Sequence, residues 1–593
     1  MSDGSAVDLL ARARELRRRR DPAALDAFRQ AVALDPSLAL AWHGLGAAAQ
    51  HARRWSEAVA ALERAVALEP GNALFRAHLG AALTGAGRPG EAIVALEAAI
   101  ALDPASPAAW IQLGSACQRS GDPDRAIGAL ERALELRPGD AAATNNLGNL
   151  YKETGRLVEA IACYERATAA DPALAVARSN RLAALKLVCD RDPEAVLAEH
   201  RAWARDIERD VPPRAAVRAG VDLPDRRLRI GYLSPDAHTA LPAFVRPVLL
   251  AHDRSRFDVY AYYNNPQRPD PPLEACATRR VLAGLDDARA AALIAADDLD
   301  LLVDLAGHTG HNRLAVFARR PARVAITWLD YLSTTGLSTV DYRISDAVAD
   351  PPGVAERAHS ERLLRLPVPA WCWAAPSDAP APVPPPLVAA GVPTYGSFNH
   401  ALKLTDATLG LWRPLFARDP AARLVAVGIP AGRARERVLA GLGIAPSRAE
   451  FMPRLDERGY REAYARADVA LDPTPFSGAT TTLDALWQGV PVVTLPGSAS
   501  GSRSTASLLA GIGAGAWIAG GPEGYVALAE ALVANAESLT SIRAELRGRV
   551  AASSIARSDD FIVHLERAYR TAWEAFCSGA LHRDDAVRLA DAC

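Results

Sequence analysis

The sequence predicts a multidomain protein in which an all-α array of helical repeats is followed by an α/β region of two parallel-sheet lobes. Three observations predict this order. The first third of the chain repeats itself every 34 residues, the remainder alternates strand-like runs with helix-length segments, and a proline-rich stretch divides that remainder. At 593 residues the chain exceeds the roughly 250–300 residues that one hydrophobic core supports, so several domains are expected.

Two sequence features recur together through the repeat region. The first is a proline, at Pro36, Pro70, Pro104, Pro138 and Pro172. The second is a Leu-Gly pair, at residues 45–46, 79–80, 113–114 and 147–148. A 34-residue period is the length of the helix–turn–helix unit of tetratricopeptide (TPR) arrays. Each helix pair buries its apolar face only by stacking on its neighbours, and the stack presents a concave surface. We therefore predict a TPR superhelix that binds a protein on its concave face.

After the repeats, the hydrophobic period changes from helical to strand-like. The strand-like runs are residues 228–233, 257–263, 299–305, 324–329 and 341–344, then 394–398, 423–427, 469–471 and 492–495. Strands separated by helix-length segments are typical of parallel sheets covered by helices. The predicted domains are a TPR array (8–189), a helical linker (190–226), a first lobe (227–373), a proline-rich linker (374–392), a second lobe (393–578) and a tail (579–593).

Bulk composition excludes several classes of function. The chain has 67 basic and 69 acidic residues and a formal charge of −2, so it has no overall electrostatic attraction to nucleic acid or to an anionic membrane. Residues 1–10 lack a secretory signal pattern, and no apolar run approaches the roughly 18 residues of a membrane span, so we expect a cytoplasmic protein. The seven scattered cysteines include no C-x-x-C pair, so neither disulfides nor a metal site is expected.

In the second lobe, residues 477–487 follow a strand and indicate a loop that turns into a helix. The backbone N–H groups of Thr480, Thr481 and Thr482, together with the positive end of the helix dipole, would suit a phosphate. Asp484, one turn further, could accept hydrogen bonds from ribose hydroxyls. The alternative is structural, with Thr480 as the helix N-cap and Asp484 as an ordinary first-turn acid.

Other polar residues follow other predicted strands. Lys403 comes shortly after residues 394–398, with His400 in the same loop, and could neutralise a departing phosphate; alternatively it is a solvated surface charge. In the first lobe, His308 and the pair Asp236 and His238 are candidates for proton transfer, because histidine titrates near neutrality. A histidine that satisfies loop backbone groups explains the same pattern equally well.

The motifs together resemble those of bacterial TPR-containing O-linked N-acetylglucosaminyltransferases and the related SPINDLY-type O-fucosyltransferases. The matching segments are residues 179–180, 228–236, 304–309, 320–322, 398–399 with Lys403, 484–494 and 502–503. The resemblance implies a GT-B fold of two Rossmann-like lobes that needs no metal and holds no tightly bound cofactor. It also implies transfer of a sugar from a UDP-, GDP- or CMP-linked donor to a Ser or Thr of a protein.

The same resemblance implies roles for single residues. Lys403 would face the donor phosphates, Thr480 and Thr481 would bind them, and Asp484 would hold the ribose. Thr482, His400, His308 and Arg503 are expected among the donor-binding residues as well. By their loop position, His238 and Asp236 are the nearest candidates for the proton acceptor.

The chain departs from the family where the sugar is expected. Residues 240–244 (ALPAF) lack two family histidines, residues 330–334 (DYLST) replace Gly-Tyr-Pro-Gly-Thr, Ala479 replaces a histidine, and His400 and Tyr460 replace a glutamine and a histidine. A changed donor is the simplest explanation. The alternatives are lost catalysis, which would leave a TPR scaffold or chaperone, and a flagellin glycosyltransferase that uses a CMP-nonulosonic acid, suggested by a looser likeness in domain order.

Overall fold

The computed structural model describes residues 5–19, 21–188, 192–209, 211, 224–234, 242–264 and 270–580. It divides into two compact units, one of Met1–Ala177 with Pro430–Arg433 and one of Arg178–Ile429 with Ala434–Cys593. The first unit is built mainly of helices and the second carries both β-sheets. This all-helical repeat region followed by a parallel-sheet α/β region confirms the predicted fold class.

The repeat helices alternate in antiparallel pairs. They are α1 (Ala6–Arg18), α2 (Ala24–Leu34), α3 (Ala39–His51), α4 (Trp55–Leu68), α5 (Ala73–Gly85), α6 (Pro89–Leu102), α7 (Pro107–Ser120), α8 (Pro123–Leu136), α9 (Ala141–Glu153), α10 (Leu157–Ala170) and α11 (Ala175–Leu185). Each recurring proline stands two residues after the second helix of a pair, where it ends the helix because it cannot supply an N–H to continue it.

The recurring glycines explain how each pair closes. A Cβ added to Gly46 would lie 2.5 Å from Leu62, and one added to Gly80 would lie 2.3 Å from Leu96. The first helix of each pair therefore approaches the second so closely that only hydrogen fits at these positions. The leucine of the Leu-Gly motif is buried beside it at Leu45, Leu113 and Leu147. Both residues of the motif thus serve helix packing.

The second unit holds a seven-stranded parallel sheet of strand order β3-β2-β1-β4-β5-β6-β7. Its strands are β1 (Leu228–Ser234), β2 (Phe257–Tyr263), β3 (Thr278–Val281), β4 (Leu301–Asp304), β5 (Val324–Thr327), β6 (Tyr342–Asp346) and β7 (Arg362–Leu366). The helices before and within this first lobe are α12 (Pro193–Arg209), α13 (Pro242–Ala251), α14 (Pro271–Cys276), α15 (Asp287–Ala296) and α16 (Leu314–Phe317).

The second lobe has a five-stranded parallel sheet of order β10-β9-β8-β11-β12. Its strands are β8 (Thr394–Ser397), β9 (Arg423–Val427), β10 (Ala449–Met452), β11 (Val469–Leu471) and β12 (Val492–Val493). The remaining helices are α17 (Leu387–Ala390), α18 (Asp406–Arg418), α19 (Arg433–Leu442), α20 (Glu457–Ala463), α21 (Thr480–Trp487), α22 (Ser504–Gly511), α23 (Pro522–Val533), α24 (Ala536–Ala552) and α25 (Ser558–Cys577).

The last helix, α25, belongs to the core of the first lobe rather than to the lobe that precedes it in sequence. Its apolar face is in one buried cluster with strands β1 and β5, and the Tyr569 hydroxyl lies 3.0 Å from that of Tyr232. His252 lies 2.9 Å from Glu566 of α25 in the same network. Helix α25 therefore ties the two lobes together.

None of the helices in the described ranges is both long and apolar enough to cross a membrane.

Candidate active site

A cavity of about 250 Å³ opens between the two lobes, at the carboxyl ends of their strands. This edge of an open parallel sheet is where ligands bind in doubly wound folds. The residues that line it are Phe244, Leu329, Asp330, Leu332 and Trp371 from the first lobe, and Asn399, His400, Lys403, Phe476, Ser477, Ala479, Thr480 and Thr481 from the second. The cavity thus has an apolar wall on one side and a polar wall on the other.

Lys403 projects from the loop after β8 into this cavity. Its Nζ donates a hydrogen bond to the backbone oxygen of Ser477 at 2.8 Å and lies 4.8 Å from the centre of the Phe476 ring. Burial lowers the pKa of Lys403 to about 8, and the nearby carboxyl of Asp472 only partly offsets this effect. An ammonium desolvated in this way is a concentrated positive charge on the cavity wall.

The loop between β11 and α21 is held from beneath by Asp472. Its carboxyl accepts hydrogen bonds from the Gly478 backbone N–H at 2.7 Å and from the Thr494 hydroxyl at 2.6 Å. Burial raises the pKa of Asp472 to about 6. A Cβ added to Gly478 would lie 2.5 Å from the Thr481 hydroxyl, so the loop can run this close to the helix only with glycine there.

Helix α21 points its N-terminus at the cavity. Its N-cap is Ala479, and no side chain caps it. The alternative of Thr480 as N-cap is therefore wrong, because Thr480 is the first residue of the helix. Since the first N–H groups of a helix have no partner inside it, those of Thr480 and Thr481 are directed toward the space that both residues line.

The three threonines at the start of α21 have different surroundings. Thr480 and Thr481 line the cavity, and the Thr481 hydroxyl lies 3.1 Å from the side-chain oxygen of Asn399. The Thr482 side chain points away and is buried, with its hydroxyl 2.8 Å from that of Thr505. Only the backbone of Thr482 therefore contributes to the helix N-terminus.

Asp484 lies one turn into α21 and is not among the cavity-lining residues. Burial raises its pKa to about 7, while the positive charge of Arg461 opposes the shift. Tyr464 of the adjoining segment supports this turn, since its hydroxyl donates to the Thr481 carbonyl at 3.1 Å. The hydroxyl of the neighbouring Tyr460 donates to the Phe398 carbonyl, just after β8, at 2.8 Å. Tyr460, at the position of a family histidine, thus serves the backbone of β8.

His400 borders the cavity and is exposed. Its Nδ1 accepts a hydrogen bond at 3.3 Å from the Leu402 backbone N–H, which begins the short 3-10 turn that carries Lys403. This contact positions the lysine loop and leaves the rest of the imidazole ring at the cavity edge.

His308 follows β4, and we expected it in the wall of the cavity. It is not among the residues that line the cavity. Its Nε2 donates to the Thr335 carbonyl at 2.8 Å, and its ring packs against Trp203 of α12 with the centres 4.4 Å apart. Burial holds its pKa well below the usual value, so the ring is neutral. Helix α12 covers this strand end, which the sequence pattern alone does not reveal.

Arg503 also lies away from the lining residues. Its guanidinium donates to the Val348 carbonyl of the first lobe at 2.7 Å and to the Gly497 carbonyl of the second at 2.9 Å. Arg503 therefore joins the two lobes. Asp236 and His238 lie outside the described residues.

Sequence reasoning missed three aromatic side chains and one acid. Phe244, Trp371 and Phe476 line the cavity, and Asp330 faces it from the loop after β5. The signal available for Asp330 was its position just after a strand, the same signal that singled out Lys403. Of the described residues, no three His, Cys, Asp or Glu side chains are grouped as a metal site would require.

Comparison with protein families identifies this arrangement. A model described as glycosyl transferase family 41 matches residues 214–371 and 389–565, which together are more than half of the chain. The chain belongs to glycosyltransferase family 41. Models described as tetratricopeptide repeat match residues 39–72, 83–127 and 111–175 of this family 41 member.

Curated relatives of this family 41 chain include plant proteins. It is 34% identical over 429 residues to the probable UDP-N-acetylglucosamine–peptide N-acetylglucosaminyltransferase SPINDLY of Oryza sativa subsp. japonica, covering 70% of this chain and 46% of that protein. For the SPINDLY protein of Arabidopsis thaliana the identity is 33%, with 68% and 45% covered. The chain thus spans a little under half the length of these relatives.

Among solved structures, a mutant of the Thermobaculum terrenum O-GlcNAc transferase is similar to this family 41 chain across both of its regions. The TM-score is 0.77 and the sequence identity 33%, with 86% of this chain and 99% of that chain covered. The repeat array and the two lobes therefore occur together in a solved relative.

Proposed function

We propose that this protein is a protein O-glycosyltransferase that moves a sugar from a nucleotide-sugar donor to a Ser or Thr hydroxyl of a polypeptide recruited by the repeats. One observation carries the proposal: Lys403 and the uncapped N-terminus of α21 line the same interlobe cavity. An ammonium and a set of backbone N–H groups that converge on one space form a site for a diphosphate.

In the proposed reaction the acceptor hydroxyl attacks the anomeric carbon, and the bond from that carbon to the phosphate oxygen breaks. The phosphate of the leaving nucleotide gains negative charge, which Lys403 and the N–H groups of Thr480 and Thr481 stabilise. Asp484, with its pKa of about 7, is proposed to bind the ribose hydroxyls one helical turn away. His400 is proposed to border the donor, whereas His308 and Arg503 are given structural roles because they contact the protein itself.

Replacing Lys403 by alanine tests the central assignment. We expect Lys403→Ala to lower the transfer rate by at least about 100-fold, the size of effect seen when one charge-stabilising donor is removed. Circular dichroism and the melting temperature should show an intact fold. Lys152→Ala, which removes an ammonium from α9 of the array, is the control for donor binding. A Lys403→Ala enzyme that turns over normally would contradict the assigned role.

The identity of the donor is tested by ligand-induced stabilisation. A ligand that binds only the folded state raises the melting temperature, so a panel of UDP, GDP and CMP sugars would reveal the preferred base. We expect one class to stabilise the protein and Thr480→Pro, which removes an N–H group, to weaken that response. No response to any member of the panel would favour the non-catalytic scaffold.

The proposed chemistry assigns the leaving-group charge to protein groups rather than to a metal ion. Transfer measured after dialysis against EDTA should therefore match transfer in added Mg²⁺ or Mn²⁺. A rate restored only by a divalent cation would show that the diphosphate is bound as a metal complex.

The acceptor is identified by capture. The repeat array is proposed to bind it, because TPR arrays present extended surfaces to polypeptides. Co-purification followed by intact-mass measurement of the bound protein would reveal both the acceptor and the mass of the sugar. Flagellin, as acceptor of a nonulosonic acid, is one outcome of that measurement.

A further inference from the structure

The proposed transfer needs a group that takes the proton of the acceptor hydroxyl. Among the described residues that line the 250 Å³ cavity, Asp330 supplies the one carboxyl group. It lies on the first-lobe wall, whereas Lys403 and Thr480 lie on the second-lobe wall. Asp330 is exposed, so an incoming hydroxyl can reach it. The cavity thus places an acid across from the groups proposed to hold the leaving phosphate.

The surroundings of Asp330 suit a base. The neighbouring atoms of the crevice desolvate the carboxyl and raise its pKa above the usual value. The positive charge of Lys186 and a hydrogen bond from the Thr309 hydroxyl act in the opposite direction and favour the ionised form. A carboxylate with a raised pKa is a stronger base at neutral pH while it remains mostly ionised.

Lys186 is held beside this acid by aromatic rings. Its Nζ lies 4.1 Å from the centre of the Tyr331 ring and 4.8 Å from that of Phe476. Lys403 lies at the same 4.8 Å distance from Phe476. The two ammonium groups therefore lie no further apart than twice that distance, and both border the ring that lines the cavity.

The use of lysine at these two positions is unusual for this chain. Only three of its 67 basic residues are lysines, namely Lys152, Lys186 and Lys403. The chain otherwise relies on arginine, whose guanidinium is broad and always charged, whereas an ammonium is a compact charge on a flexible stem. Two of the three lysines thus place their ammonium groups against the Phe476 ring. A compact cation fits beside an aromatic ring at this position.

We propose that Asp330 is the catalytic base of the transfer and that Lys186 is its positioning partner. This proposal rests on the proposed function. The acceptor oxygen forms a bond to the anomeric carbon, the bond from that carbon to the phosphate oxygen breaks, and the hydroxyl proton passes to a carboxyl oxygen of Asp330. The nucleotide leaves with the electron pair on its phosphate oxygen, and Asp330 later returns the proton to water. A single displacement of this kind inverts the anomeric configuration.

The acid departs from the Gly-Tyr-Pro-Gly-Thr motif of the N-acetylglucosaminyltransferases, which has glycine where Asp330 stands. Phe244, from the segment that lacks the two family histidines, lines the same cavity as Asp330.

Asp330→Asn removes the base and keeps the shape of the side chain. We expect kcat to fall by about 100- to 10,000-fold, the contribution of a general base. Donor affinity, measured by melting-temperature shift, should stay unchanged because the leaving-group side of the cavity is intact. Asp559→Asn, an exposed acid on α25, is the matched control and should keep full activity. An Asp330→Asn enzyme with the rate of the Asp559→Asn enzyme would overturn the proposal.

The pH profile tests the pairing with Lys186. The charged or titratable groups around Asp330 are Lys186, Lys403, His400 and the buried Asp304, whose own pKa burial raises to about 6. In the native enzyme kcat/KM should rise with pH as Asp330 ionises. Lys186→Met should move this rise to higher pH, since the cation that favours ionisation is gone, and Asp330→Asn should abolish it. A rise that survives in Asp330→Asn would assign it to another group.

Failure of this proposal and failure of the proposed function give different results. If no nucleotide sugar binds and native protein transfers nothing, the proposed function fails. If native protein transfers sugar and Lys403→Ala does not, while Asp330→Asn remains active, the function stands and the base lies elsewhere. Retention of the anomeric configuration in the product, read by NMR, would also overturn the single displacement through Asp330.

Discussion

At the scale of single residues, the charge state of Lys403 sets a pH limit on the proposed reaction. Its pKa of about 8 means that the ammonium loses its proton as the pH rises through that value. We expect kcat/KM to fall with pH above about 8. Because a bound diphosphate favours the ammonium, the fall in kcat should begin at higher pH than the fall in kcat/KM. Initial rates from pH 6 to 10 measure both limbs.

Lys403→Arg separates charge from geometry in the same experiment. A guanidinium stays charged throughout this range, so the alkaline fall should disappear, although the overall rate should drop because the broader group does not fit the contact with the Ser477 carbonyl. An alkaline fall at the same pH in Lys403→Arg would mean that a different group titrates.

The sequence could place some of these residues and not others. The rule that ligands lie at the carboxyl ends of parallel strands selects loops, and it brings Lys403, His400, Thr480 and Thr481 to one cavity. The rule does not say which strand ends are covered. His308 obeys it equally well, yet α12 packs over its loop, and such a long-range contact leaves no local pattern in the sequence.

At the scale of elements, the turn into α21 depends on Gly478. A Cβ there would lie 2.5 Å from the Thr481 hydroxyl and 2.7 Å from that of Thr482. We expect Gly478→Ala to displace the N-terminus of α21 and to weaken donor binding, with a loss of stability of about 1–3 kcal/mol. Isothermal titration with the preferred nucleotide and urea unfolding measure the two effects.

The control for this change is Gly410→Ala on α18, where an added Cβ meets nothing within 4 Å. Alanine is the better helix former, so stability should rise by up to about 1 kcal/mol and donor binding should not change. Equal effects of the two substitutions would contradict the role given to the α21 turn.

Glycine substitutions in the repeat helices should change stability in the same way. Gly80→Val forces a branched side chain against Leu96, where even one carbon would lie 2.3 Å away, and should destabilise the array by about 1–3 kcal/mol or more. Gly128→Ala on α8, with open space around it, should be neutral or slightly stabilising. Circular dichroism during urea unfolding, which follows helix content, distinguishes the two.

The elements that sequence reasoning missed share a physical property. Strands β3 (TRRV), β7 (RLLRL) and β10 (AEFM) lie at sheet edges and are not fully buried, so charged residues interrupt the apolar run by which a buried strand is recognised. The strands that were predicted, such as β4 and β9, are buried in the sheet interior. A hydrophobic pattern in the sequence indicates which strands are buried. An edge strand is less buried and is held in place by backbone hydrogen bonds to the neighbouring strand, which leave no such pattern.

At the scale of the whole molecule, the return of α25 to the first lobe makes distant parts of the chain depend on each other. Leu565 is fully buried in the first-lobe core, whereas Val563 on the same helix is 54% exposed. We expect Leu565→Ala to destabilise the second unit by about 2–5 kcal/mol and Val563→Ala by less than about 0.5 kcal/mol. Chemical denaturation followed by tryptophan fluorescence measures both changes. Similar losses in the two variants would mean that α25 is not part of this core.

Sequence reasoning could not foresee this closure. The amphipathic pattern of α25 predicts a helix with one apolar face, but the pattern does not name the surface that the face covers. Tyr232, His252 and Glu566 meet only because more than 300 residues of chain fold back between them. The alternation of strands and helices was enough to predict two lobes, since that pattern is local to each lobe.

The scarcity of lysine gives the molecule a ready set of spectroscopic reporters. Reductive methylation with carbon-13 formaldehyde labels lysine side chains and the N-terminal amine, and this chain has three lysines. Two resonances would come from Lys186 and Lys403 beside the Phe476 ring. The ring current of Phe476 moves their chemical shifts away from the random-coil values. The third, from Lys152 in the array, is an internal reference. Binding of a nucleotide sugar in the cavity could then be followed at equilibrium in an NMR spectrum of only a few lines, without a radioactive sugar or an acceptor protein.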